Sequence, residues 1–142
     1  MRTLYAVPWY TCNLNCPHCH VSHRDIPVNY GKFINELRAV DGYDYVVLFG
    51  GEPTLEWNKC KEILLTGKIN SMSTNLTVFP STFIKSEFID VLRAANVNNI
   101  ATSWNLKRFT PALADIWYEN LALLCKLGVD VLVMITLTRD LV

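Results

Sequence analysis

Hydrophobic and polar positions along the chain alternate between two periods. Short apolar runs at 3–7, 45–49, 69–76, 99–104 and 129–137 read as strands, and longer stretches of helical spacing separate them. The run Tyr-Val-Val-Leu-Phe at 45–49 is continuously apolar, as a strand buried on both faces requires. Between the runs, 30–40 places Phe33, Ile34, Leu37 and Val40 on one helical stripe and stops at Asp41-Gly42. Thr54 is placed to cap a helix running to Thr66, with Gly67 as its stop. Ser81 or Thr82 opens a third helix, whose inner face carries Ile84, Phe88, Val91 and Leu92. Thr110-Pro111 opens a fourth, with Leu113, Trp117, Leu121 and Leu124 facing inward as far as Gly128.

Five strands alternating with four helices predict an α/β fold with a parallel sheet of βα repeats, because parallel neighbours need crossovers. All βα loops then gather at the carboxyl edge, where sites form in barrels and open sheets alike. The residues brought there are a cysteine-rich loop, Gly50-Gly51-Glu52-Pro53, Ser73-Thr74-Asn75, Ser103-Trp104-Asn105, and Thr136 with Thr138. Five loops would converge on one mouth.

Composition narrows the picture. The chain has 142 residues, 51% hydrophobic and 18% charged, with no linker or repeat, which suits one domain with a real core. Thirteen basic residues balance thirteen acidic ones, and this argues against nucleic acid as the main partner. No apolar run is long enough to span a bilayer, and the N-terminus lacks a signal-peptide pattern, so a cytoplasmic protein with no membrane partner is expected.

The candidate chemistry lies in residues 12–20, Cys-Asn-Leu-Asn-Cys-Pro-His-Cys-His. Three of the five cysteines fall within these nine positions, too close together for a disulfide framework. Thiolates are soft ligands that favour zinc or iron–sulfur. Zinc would take a fourth ligand from His18, His20 or His23, whereas an iron–sulfur cluster normally takes four cysteines. The remaining cysteines, Cys60 and Cys125, fall in helices and read as buried apolar residues. Spacing alone leaves zinc and iron–sulfur both open.

Cys12-x3-Cys16-x2-Cys19 after a first strand, followed by Gly50-Gly51-Glu52-Pro53 after a second, resembles the signature pair of the radical SAM superfamily. The resemblance implies a partial, TIM-like barrel and a [4Fe–4S] cluster ligated by Cys12, Cys16 and Cys19. The fourth iron of that cluster would chelate S-adenosylmethionine, and reductive cleavage would give a 5′-deoxyadenosyl radical that abstracts hydrogen from a substrate. By the same resemblance, His18 lies near the adenine, and Gly50, Gly51, Glu52 and Pro53 receive the methionyl amino group. Thr74, Asn75, Ser103 and Asn105 are then positioned for the ribose or carboxylate. Without the resemblance, the glycines suit a close backbone approach to a ligand, and Met134 and Ile135 read as core.

The family core has six strands and six helices, so the 1–142 domain reads as lacking the sixth strand and helix. The chain therefore reads as C-terminally incomplete or as a minimal member whose barrel a partner chain completes. The implied partners are a small-molecule or peptide substrate and an electron donor such as flavodoxin or ferredoxin. The other readings are a glycyl-radical-enzyme activase of the anaerobic ribonucleotide reductase type, and a truncated non-catalytic iron–sulfur or metal-binding module.

Overall fold

The computed structural model describes residues 1–16, 19, 26–105 and 109–137. Five strands, β1 (Thr3–Ala6), β2 (Tyr45–Leu48), β3 (Ser71–Ser73), β4 (Asn99–Trp104) and β5 (Asp130–Ile135), lie side by side in chain order. Every neighbouring pair is parallel, and the row Ala6, Leu48, Met72, Ile100 and Val131 runs in register across the sheet. This is the expected parallel α/β arrangement. Among the described residues it forms an open sheet, ending on β1 at one side and β5 at the other.

The helical segments are α1 (Tyr30–Ala39), α2 (Trp57–Leu64), α3 (Ser81–Phe83), α4 (Ile89–Ala94) and α5 (Pro111–Lys126). A 3₁₀ turn, Pro53–Glu56, leads into α2, and a π-helical turn, Ile84–Phe88, joins α3 to α4. Local chemistry sets the starts. Asn29 accepts the Lys32 N–H at 3.0 Å to cap α1, and Thr110 caps α5 by accepting the Leu113 N–H at 3.3 Å. The Ser86 hydroxyl donates to the Thr82 carbonyl at 2.9 Å, inserting a side chain into the ladder where the helix widens.

Strand residues of one parity (Val46, Leu48, Met72 and Ile100) form one core with Ile34, Leu37, Ile63, Phe88, Leu92, Trp117 and Leu124 from the helices. Strand residues of the other parity face a trough of about 1030 Å³ on the opposite side of the sheet. Small Ser71, Ser73 and Ala101 form its middle, and larger Tyr5, Tyr45, Val47, Leu132 and Met134 form its flanks. The strands are therefore covered on one face and open on the other, not buried on both as the run at 45–49 suggested.

Three further expectations change. Cys60 is fully buried as expected, but Cys125 is exposed, because one step past the inward Leu124 turns the side chain about 100° around α5. Met134 and Ile135 are exposed and not core, since β5 has a strand neighbour on one side only among the described residues. β3 is three residues long and not eight, because the chain after Ser73 turns to make the polar contacts described next.

Candidate functional site

The Gly50–Glu52 turn at the end of β2 is laced to the segment that leads into the cysteine loop. Gly51 N–H donates to the Trp9 carbonyl at 3.1 Å, and Glu52 N–H donates to the Thr11 carbonyl at 2.8 Å. The Trp9 indole N–H returns to the Glu52 carbonyl at 3.0 Å. Both glycines are dictated by this contact. A Cβ on Gly50, whose φ is +149°, would lie 2.7 Å from the Trp9 carbonyl oxygen. One on Gly51 would overlap the backbone of Tyr10 and Thr11. The close approach permitted by Gly-Gly is thus to the chain's own backbone, and it sets Cys12 beside the turn.

Glu52, not Thr54, caps the helical turn that follows. Its carboxylate is buried and accepts four hydrogen bonds. Oε1 takes the Thr54 N–H at 3.2 Å, the Thr54 hydroxyl at 2.6 Å and the Thr74 hydroxyl at 2.7 Å. Oε2 takes the Asn75 N–H at 2.7 Å. Burial pushes the Glu52 carboxyl above its usual range, while the bonds from Thr54, Thr74 and Asn75 pull it down. Two of the donors are backbone N–H groups, which can only donate, so the geometry is that of a carboxylate acting as a strut between the ends of β2 and β3.

Asn75 continues the strut into the cysteine loop. Its Nδ2 donates to Asn13 Oδ1 at 2.7 Å and reaches Cys12 Sγ at 3.9 Å. Its Oδ1 accepts the Thr77 N–H at 3.0 Å and the Thr77 hydroxyl at 2.7 Å. Leu76, between them, sits at φ 59°, a left-handed conformation costing an L side chain about 1–2 kcal/mol. Asn120 on α5 holds this bend by donating to the Leu76 and Phe79 carbonyls, both at 2.9 Å.

Cys12, Cys16 and Cys19 line a cavity of about 190 Å³ together with Gly50, Gly51, Glu52, Ser73, Thr74, Asn75, Ser103, Asn105 and Thr136. The loops after β1 to β4 and the end of β5 do meet at one mouth. Pro53 lies buried at the start of its 3₁₀ turn, outside the cavity wall. His18, His20, His23 and Thr138 lie outside the described residues.

Among the described residues, the cavity wall carries thiols and one carboxylate but no lysine, arginine or histidine. Burial pushes the Cys12 thiol above its ordinary value; the Leu14 N–H opposes this, and Glu52, Cys16 and Cys19 add to the upward push. Such a site favours an electropositive occupant that binds soft sulfur. Among the described residues no three Cys, His, Asp or Glu side chains gather around one metal ion. The cysteines of a [4Fe–4S] cube each take a different iron, so a cluster does not ask for that convergence. The donor set fits a cluster.

The sequence profile of the radical SAM superfamily matches residues 7–141. The chain belongs to the radical SAM superfamily. No curated protein matches the chain. Radical SAM proteins typically use a [4Fe–4S] cluster and S-adenosylmethionine, and most are enzymes. Among the described residues of this radical SAM chain, no helix is long and apolar enough to cross a membrane.

Asn13, Thr77, Asn120 and the Trp9 indole were not legible as site-forming residues. The first three had a faint signal. Asn13 sits between two cysteines, and Thr77 follows Asn75 at the spacing of an Asx turn. Asn120 is a polar residue on the inward stripe of a helix, where a buried amide has to find partners.

Proposed function

We propose that this chain is a radical SAM enzyme in which Cys12, Cys16 and Cys19 hold a [4Fe–4S] cluster. When bound, the cluster and S-adenosylmethionine supply a 5′-deoxyadenosyl radical for hydrogen abstraction from a substrate. The observation that carries this reading is the meeting of the three thiols with the Gly50–Glu52 turn, Ser73–Asn75, Ser103 and Asn105 on one cavity. The Gly50–Pro53 turn receives the methionyl ammonium; Glu52 Oε2, which takes the Asn75 N–H, is less crowded than Oε1, which takes three donors. Ser103 and Asn105 are the polar side chains of the β4 end, suited to the ribose or carboxylate, and His18 to the adenine. An external one-electron donor of the flavodoxin or ferredoxin class completes the reaction.

The substrate belongs in the trough, which shares Phe49, Ser73 and Met134 with the cysteine cavity. The trough wall carries the Asp130 carboxylate and the phenols of Tyr5, Tyr10 and Tyr45, with no basic side chain among the described residues. This favours an uncharged or cationic, largely apolar molecule over a phosphate-bearing one. Ligand-observed NMR should show 3-phenylpropylamine binding more tightly than 3-phenylpropionate, and the reverse order would discard this substrate class.

Anaerobic reconstitution with ferrous iron and sulfide should give a brown protein that forms 5′-deoxyadenosine from S-adenosylmethionine when reduced with dithionite. Cys16→Ala should abolish the product. A colourless protein carrying one zinc ion would overturn the reading.

A further inference from the structure

The three residues Asn13, Asn75 and Thr77 close a ring of hydrogen bonds against the first cysteine. Asn75 Nδ2 donates to Asn13 Oδ1, Asn13 Nδ2 donates to Thr77 Oγ1 at 3.1 Å, and the Thr77 hydroxyl donates to Asn75 Oδ1. The direction of the ring is fixed. The Thr77 backbone N–H can only donate, so the atom it meets on Asn75 is the oxygen, and the Asn75 amide nitrogen therefore faces the cysteine loop. An amide nitrogen has two N–H bonds. One closes the ring on Asn13, and the other is left to point at Cys12 Sγ, 3.9 Å away. The Leu14 N–H approaches the same sulfur at 3.4 Å.

Asn75 itself is almost completely buried, with its backbone N–H held by Glu52 and the neighbouring Leu76 carbonyl held by Asn120. Its side chain cannot turn away without orphaning buried donors. The amide dipole aimed at the sulfur is therefore preset.

We infer that Asn75 is a positioning residue that donates an N–H···S hydrogen bond to the Cys12 thiolate and thereby raises the reduction potential of the cluster held there. This rests on the cluster reading above. A reduced cluster carries one more negative charge, partly spread onto its sulfurs, and a donor aimed at a ligand sulfur stabilises that form more than the oxidised one. The Asn13–Thr77 pair keeps the donor in place. The asparagine between the first two cysteines thus gains a role in setting the cluster's electronics, through Asn75.

The test is an anaerobic redox titration of the reconstituted full chain, read by electron paramagnetic resonance, for wild type and Asn75→Leu. Removing the donor should lower the ratio of reduced to oxidised cluster several-fold at the wild-type midpoint, where a tenfold drop is a shift of about 59 mV. Thr77→Val, which breaks the ring but leaves the Asn75 amide, should shift the midpoint the same way by less, and Thr77→Ser should restore it. If Asn75→Leu does not fold, the Thr77 pair decides the matter by the same readout. Coincident midpoints in cluster-loaded wild type and variants would overturn the inference and leave the cluster reading intact. A wild-type chain that takes up no cluster would overturn both.

Discussion

The ends of β2 and β3 bury polar side chains, whereas β5 exposes apolar ones. Glu52 is 1% exposed and Asn75 2%, while Leu132 and Ile135 are above 60%. Both regions depart from the ordinary partition of residues between core and surface, for opposite reasons. The buried polar groups near the cysteines satisfy one another, so each fixes its neighbours: Glu52 holds Asn75, Asn75 holds Asn13, and Asn13 lies inside the cysteine motif. β5 has no such closure. Leu132 and Met134 form one flank of the trough, and Ile135 lies on the strand that ends the sheet. One region is rigid by internal bonding, and the other presents a surface to whatever enters the trough.

Substitutions at the first region should do the most damage. Gly51→Ala drives a Cβ into the backbone of Tyr10 and Thr11, which no side-chain rotation relieves. A loss of about 4 kcal/mol in denaturant unfolding is expected, together with loss of cluster uptake. Glu52→Ala leaves the N–H groups of Thr54 and Asn75 buried without an acceptor and should cost about 3 kcal/mol. If it unfolds like wild type, the strut is not real.

Two further contrasts sharpen the comparison with smaller effects. Cys60 is buried against Met72, and burial raises its thiol well above the ordinary value, whereas Cys125 is exposed. Iodoacetamide on the native protein should label Cys125 and spare Cys60, as peptide mass spectrometry would show. Cys60→Ser should cost about 1–2 kcal/mol by burying a poorly partnered hydroxyl, and Cys125→Ser should be near neutral. Leu132→Ser, on the open flank, should change stability by less than about 0.5 kcal/mol. A larger loss would mean that the exposed face of β5 is packed in solution.

The same contrast explains what the sequence disclosed. Strand runs and helical stripes report which residues leave water, so the parallel sheet and the helix pattern were readable from Tyr45–Leu48 and from the Trp117–Leu124 spacing. The meeting of the strand-end loops at one cavity was readable too, because topology alone sends every βα loop to one edge, although Pro53 turns out to lie outside the cavity wall. Polar partnership was not. Nothing in Gly50-Gly51-Glu52 announces that the glycines face Trp9 and Thr11, or that the carboxylate turns inward to Thr74. Those choices depend on contacts across more than twenty residues of chain, which a local pattern does not encode. The burial expected of Cys125, Met134 and Ile135 fails for a related reason: apolar character indicates a preference for burial, and only the arrangement of neighbours grants it.

Whether the three thiols carry a cluster with an iron open to S-adenosylmethionine decides the proposed function. Electron paramagnetic resonance of the reconstituted, dithionite-reduced chain, recorded before and after adding S-adenosylmethionine, reads that property. The predicted result is a [4Fe–4S] signal that changes shape on addition and is absent in Cys12→Ala. A signal indifferent to S-adenosylmethionine, or a chain that takes up zinc and no iron, would contradict it.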